Sequence, residues 1–328
     1  MISAWHFGYA VGFAIIAGAL LQTMLQLYSR ARRLSFERQQ QRFIRDQMQL
    51  SIKAAMLRCQ EAEQSRSVWN GFRKFRVAKK VCECLDVHSF YLAPHDGRPI
   101  PGFKPGQYLT FQLNVPFQTK PVIRCYSISD APRDDNHFRV TIKKALPPRD
   151  VAGAQPGIAS SYFNDLLQEG DIIDVKAPGG VFFLDLKRAT PVVLISGGVG
   201  ITPMLSMMNA LLNMGSKREI WFFHGARNSK EHIQKEYLEK VAAENENVHL
   251  FVSYSGPAPT DVEGKDYQHK GYFSVSLLKD LLPSNHFEFF ICGPPKMMED
   301  ASIKLAEWGV PKNRINFEAF GAPARKGI

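Results

Sequence analysis

The chain is poor in cysteine, and its five cysteines follow no regular spacing. They form neither a disulfide framework nor the C-x4-C-x2-C run of an iron–sulfur site, which excludes a small disulfide-stapled fold and a cysteine-held cluster. A reducing compartment fits such usage. Cys82 and Cys84 lie two apart on an expected strand and so share a face, but no second pair with zinc-like spacing accompanies them. They are expected to be two buried thiols, with no metal site. Acidic and basic residues are absent from Met1 to Ser29, and Gly and Pro are absent from Leu34 to Glu63. A cleaved signal peptide carries positive charge ahead of its apolar centre, so a charge-free start argues instead for an uncleaved segment.

The charge-free start contains Phe7 to Leu27, an apolar run of 21 residues broken only by Gln22, Thr23 and Gln26. Such a run matches the roughly 20 residues that a helix needs to cross a bilayer. Trp5 and Tyr28 stand where interfacial aromatics are expected, and Arg30, Arg32, Arg33 and Arg38 follow at once. Residues 1–28 therefore read as a single-pass transmembrane helix in the lipid bilayer, with the rest of the chain on the cytoplasmic side. Residues 29–72 read as a basic helical neck. Between Ser29 and Arg76, twelve Lys/Arg face four acids, a balance of +8, while the 252 residues beyond carry only +2 of the total +10. Positive charge thus belongs to the neck, and no nucleic-acid surface is indicated. Phe36, Phe43, Leu50 and Leu57 recur every seven residues, with Gln40 and Gln47 at the alternate seam positions. The broken seam ranks contact with a membrane surface or a partner protein above self-association.

With 45% apolar residues, the remaining chain can bury two cores. Short alternating runs at 75–84, 90–93, 107–113, 123–128, 138–143 and 172–176, separated by Gly, Pro and Asp, predict an antiparallel β-barrel with one helix over residues 73–186. From residue 187 to 328 the pattern changes. Apolar strands at 192–195, 219–223, 249–253 and 287–291 alternate with helical patterns at 204–213, 230–245, 275–282 and 296–308, which predicts an α/β doubly wound parallel sheet. Met204, Met207, Met208 and Met214 read as helix-face core.

The most informative stretch is Val192 to Pro203, V-V-L-I-S-G-G-V-G-I-T-P, a buried strand running into a glycine-rich turn and then a helix. Gly197, Gly198 and Gly200 are expected to take positive φ and let a pyrophosphate approach, with the helix start near Thr202 offering unpaired N–H groups and the positive end of its dipole. Four further motifs keep it company: Arg124-Cys125-Tyr126-Ser127, Gly157-Ile158-Ala159-Ser160 at the start of a helix through Leu167, Cys292-Gly293-Pro294-Pro295, and Phe317-Glu318-Ala319-Phe320.

In this order and at these separations, the five motifs closely resemble the ferredoxin-NADP+ reductase superfamily, over about residues 73 to 321. The resemblance implies an FAD-binding barrel followed by an NAD(P)-binding domain. It places Arg124 on the flavin pyrophosphate, Tyr126 against the flavin and ribityl chain, Ser127 near flavin N5, and Gly157, Ile158, Ala159 and Ser160 at the same pyrophosphate. Each residue type suits its role, since a guanidinium forks onto phosphate, a ring covers an apolar flavin face, and a hydroxyl can bond to a ring nitrogen. Two phosphate grips favour FAD over FMN. The resemblance also sets Cys292 beside the nicotinamide, lets Gly293 permit its approach, and puts Glu318 and Phe320 at the flavin's other face or edge. Ser127, Cys292 and Glu318 would then surround the space where hydride passes.

At the end of the second strand of the later domain, Arg227, Ser229 and Lys230 can hold a 2′-phosphate, and no acid occurs from His224 to Lys230 to select a free ribose hydroxyl. Relatives using either nucleotide carry Arg there, so the donor is written NAD(P)H. The implied activity is hydride transfer from NAD(P)H to FAD and electron delivery to a separate redox partner, a ferredoxin or a haem or di-iron component of a membrane oxygenase. Direct reduction of a quinone or small acceptor, and a catalytically silent scaffold flavoprotein, are the alternatives.

Overall fold

The computed structural model describes Met24 and residues 69–132, 136–147 and 153–320. Apart from Met24, the expected membrane-spanning segment lies outside the described residues, as does nearly all of the expected neck. Among the described residues, no helix is long and apolar enough to cross a membrane. The described residues from Trp69 onward belong to one compact unit.

The first half of that unit is built from β1 (Phe72–Cys84), β2 (Val87–Pro94), β3 (Tyr108–Leu113), β4 (Val122–Ser127), β5 (Phe138–Lys143) and β6 (Ile172–Gly179). They lie in the order β4-β3-β6-β1-β2-β5, every pairing antiparallel. Beyond β4 the chain returns to β5. Ile128 bridges Val140, and the Ser129 N–H donates to the Arg139 carbonyl at 2.8 Å, which closes the sheet into a barrel. The strands bury Phe75, Phe90, Phe111 and Phe138 inside the barrel, and Phe163 of the helical segment after β5 joins them, all five fully buried. Each such ring contributes roughly 1.5–3 kcal/mol by leaving water.

A short helix α1 (Ile158–Ser161) widens into a π-helical turn, Tyr162–Leu166, where the sequence predicts one regular helix. The Asn164 side-chain amide donates to the Ser160 carbonyl at 2.8 Å, the acceptor its own backbone N–H would take in an α-helix.

Cys82 and Cys84 depart from expectation. Cys82 is exposed and Cys84 half-buried, at the end of β1 where a register shift separates the two. Burial still pushes the Cys84 thiol up to about 11.

The second half carries β7 (Val192–Gly197), β8 (Ile220–Ala226), β9 (Val248–Tyr254), β10 (His269–Lys270), β11 (Glu288–Cys292) and β12 (Ile315–Glu318). Their order is β10-β9-β8-β7-β11-β12, all parallel. The helices are α2 (Ile201–Asn213), α3 (Lys235–Glu244), α4 (Val275–Leu281) and α5 (Pro295–Glu307). Both faces of the sheet are covered. Val192, Leu194 and Phe222 pack with residues of α2 and α3, whereas Val193, Ile195, Phe289 and Ile291 pack with residues of α4 and α5. This is why β7 and β11 read as continuous apolar runs. Met204, Met207 and Met208 are buried as expected, while Met214, just past the end of α2, is exposed.

The two halves meet on α2. Val87, Phe182 and Leu184 of the barrel side share a buried cluster with Ile201, Met204, Leu205 and Met208. Polar groups seal the same joint: the Ser206 hydroxyl donates to the Asp130 carbonyl at 2.7 Å, and the Asn209 amide donates to the Asp130 carboxylate at 2.9 Å.

Candidate functional site

Strand β4 ends the sheet order, so its outer face is open: half-buried at Val122, exposed from Ile123 to Cys125, and buried only at Ser127. Arg124 stands on this face, its Nη1 donating to the Ile123 carbonyl at 2.7 Å. The Tyr126 ring meets Phe163 edge-on at 5.2 Å and Phe111 at 5.8 Å, which joins β4 to the helical segment after Gly157. Burial pushes the Tyr126 phenol up to about 12, with Arg124 acting in the opposite sense. Ser127 is buried opposite Tyr108 of β3.

The Gly157 segment is fixed from within. Its N–H donates to the Ala145 carbonyl at 2.8 Å, and a Cβ there would lie 2.8 Å from both the Ala145 Cβ and the Ser160 hydroxyl. That hydroxyl donates to the Gly157 carbonyl and accepts from the Ala145 N–H, each at 3.0 Å. Ser160 therefore shapes the loop instead of offering a free hydroxyl. No side chain caps α1, so the N–H groups of its first turn, from Ile158, Ala159 and Ser160, are left for an anion.

The order of the parallel sheet reverses between β7 and β11, and in open α/β sheets ligands settle outside the carboxyl ends of the strands at such a point. Here the expectation of three positive-φ glycines is corrected. Only Gly198 has positive φ, +53°, with nothing within 4 Å of where a Cβ would stand. Gly197 (φ −126°) and Gly200 (φ −60°) are ordinary backbone. They are glycine for closeness: a Cβ on Gly200 would fall 2.1 Å from the Cys292 carbonyl oxygen, and one on Gly197 would fall 2.7 Å from Pro294. Gly293 answers from the other side, 3.0 Å from the Gly197 nitrogen by the same measure. Thr202 is buried and its hydroxyl donates to the Val199 carbonyl at 3.1 Å, bracing the turn.

Cys292 ends β11 fully buried, paired in register with Ser196 on one side and Glu318 on the other. Burial first, and then the Glu318 carboxylate, push its thiol far up, so it is a neutral thiol at physiological pH. Glu318 is half-buried, and Phe320, the last described residue, is exposed.

At the end of β8, Arg227 and Lys230 are exposed around a 3-10 turn, Ser229–Glu231. The barrel grips this turn: the Leu85 N–H donates to the Lys230 carbonyl at 3.1 Å, and Lys143 pairs with Glu231 at 2.7 Å. Two sets of groups here escaped the sequence reading. Asp261 accepts from the Ser229 hydroxyl at 2.5 Å and from the Ser229 N–H at 3.3 Å. Beneath the strand ends, His224 shares a 2.9 Å hydrogen bond with the Ser196 hydroxyl, and His232 shares one of 2.9 Å with Tyr254. Burial drives both imidazoles toward the neutral form, His232 down to about 4. Only tertiary structure assembles either set.

These donors suit two pyrophosphates: an exposed Arg124 that forms no ion pair among the described residues, an uncapped first turn of α1, and an open positive-φ Gly198 ahead of α2. The Oxidoreductase FAD-binding domain family matches residues 74–184, and the Oxidoreductase NAD-binding domain family matches residues 194–302. A flavohemoprotein of Bacillus thuringiensis subsp. konkukian is 40% identical over 275 residues, 84% of this chain and 67% of that protein. The chain belongs to the ferredoxin reductase-like oxidoreductases. This ferredoxin reductase-like chain thus has an FAD-binding and an NAD-binding domain, and spans about two thirds of that relative's length.

Among solved structures, the FAD/NAD-binding domain of nitric oxide dioxygenase from Vibrio cholerae O1 biovar El Tor is 30% identical, with a TM-score of 0.67 over 77% of this chain and 100% of that one. Phthalate dioxygenase reductase, which transfers electrons from pyridine nucleotides to [2Fe-2S], is 27% identical with a TM-score of 0.58, covering 77% of this chain and 69% of that one. The ferredoxin reductase-like oxidoreductases are NAD(P)H-dependent flavoenzymes, and this chain is one by its two domains.

Proposed function

We propose that the chain is a membrane-anchored reductase that takes hydride from NAD(P)H onto FAD and delivers electrons to a separate protein, a ferredoxin or the haem or di-iron component of a membrane oxygenase. One observation carries this reading. Asp130, three residues after Ser127, is hydrogen-bonded to Ser206 and Asn209 of α2, the helix that follows the Gly198–Gly200 turn. The flavin motif and the nucleotide motif are therefore two ends of one packed piece. Hydride transfer demands such alignment, since the reacting atoms must stand about 3–3.5 Å apart and away from water.

FAD, when bound, accepts a hydride and can release electrons onward. The residues of the chain do the positioning. Arg124 and the first-turn N–H groups of α1 balance pyrophosphate charge, Tyr126 lends an apolar ring, and Ser127 offers a hydroxyl that can follow a proton on a ring nitrogen. Across the joint, Gly198 and the start of α2 admit the nucleotide pyrophosphate. Gly293 leaves room beside Cys292, whose neutral thiol gives the nicotinamide an uncharged wall, and Glu318 and Phe320 flank the meeting point. Arg227 and Lys230 border the adenosine end.

The charge-free run from Phe7 to Leu27 and the arginines after it support a single-pass anchor with both domains on the cytoplasmic side, where reduced nicotinamide is found. Tethering raises the effective concentration toward a membrane acceptor. The test is an absorbance spectrum of the full chain in mild detergent before and after anaerobic NADH or NADPH. A yellow protein bleached by one nucleotide is expected, together with reduction of a one-electron dye. A colourless protein that FAD cannot reconstitute would overturn the reading. A flavoprotein that no nucleotide bleaches would leave only a scaffold.

A further inference from the structure

Resting on the reductase reading above, we infer that Asp261 makes the adenosine end of the nucleotide site selective for a free ribose 2′-hydroxyl, so that NADH rather than NADPH is the hydride donor. The residue lies 32 positions beyond Ser229, out of reach of any local motif, yet its carboxylate is fastened to the turn that follows β8. Three donors hold it: the Ser229 hydroxyl at 2.5 Å, the Ser229 N–H at 3.3 Å and the Ala258 N–H at 2.8 Å. Although partial burial acts the other way, the hydrogen bonds from Ser229 and Ala258 hold its carboxyl below the usual range, so it is ionised at neutral pH.

Hydrogen-bond polarity decides what this pair can recognise. The Ser229 hydroxyl has one proton, and that proton is committed to Asp261, so the oxygen turns lone pairs toward an incoming ligand. Asp261 adds a fixed negative charge and further acceptors. A ribose 2′-hydroxyl can donate to such a surface. A 2′-phosphate offers only acceptor oxygens and two negative charges, and is refused on both counts.

Arg227 and Lys230 pull the other way, but both side chains are exposed and so are screened and mobile. Arg227 also lies along the neighbouring turn, where a Cβ on Gly256 would be 3.7 Å from its Cγ. A pinned charge with a spoken-for hydroxyl outweighs two solvated ones.

The experiment compares NADH with NADPH in anaerobic flavin reduction by the wild-type chain and by Asp261→Asn, which keeps an acceptor for Ser229 and removes the charge. A preference for NADH of roughly ten-fold or more is expected, falling about ten-fold in the variant. Calorimetric binding of AMP against adenosine 2′,5′-bisphosphate gives a readout independent of turnover, with AMP favoured by the wild type and the gap closed by Asp261→Asn. Should the variant not fold, salt decides with the wild type alone. Screening narrows a preference for AMP if like-charge repulsion sets it, whereas a bisphosphate that binds better at low salt and loses its advantage as salt rises marks Arg227 and Lys230 as dominant and overturns the inference. Equal or better use of NADPH also overturns it while leaving the reductase reading intact. Failure of both nucleotides to bleach bound flavin sinks the reductase reading instead, and the AMP comparison still judges Asp261.

Discussion

The barrel and the parallel sheet build their halves of the site from opposite materials. On β4 the candidate groups are side chains on an open face, and the aromatic core lies behind them: the fully buried Phe111 and Phe163 support the Tyr126 ring. At the junction of β7 and β11 the material is backbone. Both strands are buried along their whole length, and their ends approach so closely that Gly197, Gly200 and Gly293 leave no room for a Cβ. The barrel half should therefore lose ligand without losing fold, whereas the sheet half should lose both together.

The sharpest way to break this contrast is Gly200→Ala. A methyl 2.1 Å from a backbone carbonyl cannot be relieved by a rotamer change, so β7 and β11 must part. The expected cost is about 3 kcal/mol or more in denaturant unfolding, with loss of nucleotide-dependent flavin reduction. A variant of wild-type stability would show that the strand ends are loosely held.

Acid should find the sheet half next, through its two hidden imidazoles. His232 is buried and its pKa is lowered from 6.5 to about 4. Above pH 6.5 it is neutral in both folded and unfolded chains, and the stability is fully present. As pH falls from 6.5 toward about 4, the unfolded chain takes a proton that the folded one refuses, and stability drops by up to about 1.4 kcal/mol per pH unit, or roughly 3 kcal/mol in all. His224 is shifted in the same direction. Urea unfolding at pH 7 and pH 5 measures the slope, and His232→Gln should flatten part of it. An unchanged slope would mean that the imidazole is not buried in solution.

On the barrel side, Arg124→Ala should leave the melting temperature nearly untouched, because the guanidinium is exposed and, among the described residues, hydrogen-bonds only to the Ile123 carbonyl. FAD retention should weaken by roughly 1.5–3 kcal/mol, about ten- to a hundred-fold, as for the loss of a charge-assisted hydrogen bond. Titration of the apoprotein with FAD checks this. A variant that unfolds while still holding flavin would reverse the contrast between the halves.

What the sequence shows and hides follows the same division. The strands of both domains were legible because burial on one face or on two leaves an alternating or a continuous apolar run, as in β3 and β7. The edge strands β10 and β12 were not. His269–Lys270 is too short to carry a pattern, and Ile315–Glu318 is only partly covered. The five motifs marked candidate residues, but not how the fold holds each one. A glycine looks the same whether it supplies a positive φ, as Gly198 does, or an absent Cβ, as Gly200 does. Ser160 read as a phosphate contact and Thr202 as a helix start, and the sequence did not show that the hydroxyl of each braces its own turn. Asp261 and the His224–His232 pair became visible only when the chain folded them onto the end of β8.

The smallest expected effect separates the two kinds of glycine most finely. Gly198 has φ +53° and open space where a Cβ would go, so Gly198→Ala meets no neighbour and bears only the left-handed backbone, roughly 1–2 kcal/mol. That is below the cost expected for Gly200→Ala at a position two residues away. The added methyl points into the space assigned to the nucleotide pyrophosphate, so the KM for NADH should rise by more than the loss of stability accounts for, while FAD affinity stays as it was. If Gly198→Ala and Gly200→Ala instead lost stability equally, and NADH binding by the folded fraction were unimpaired in the first, the open side of Gly198 would not be where the nucleotide lies. The turn would then be a packing device throughout.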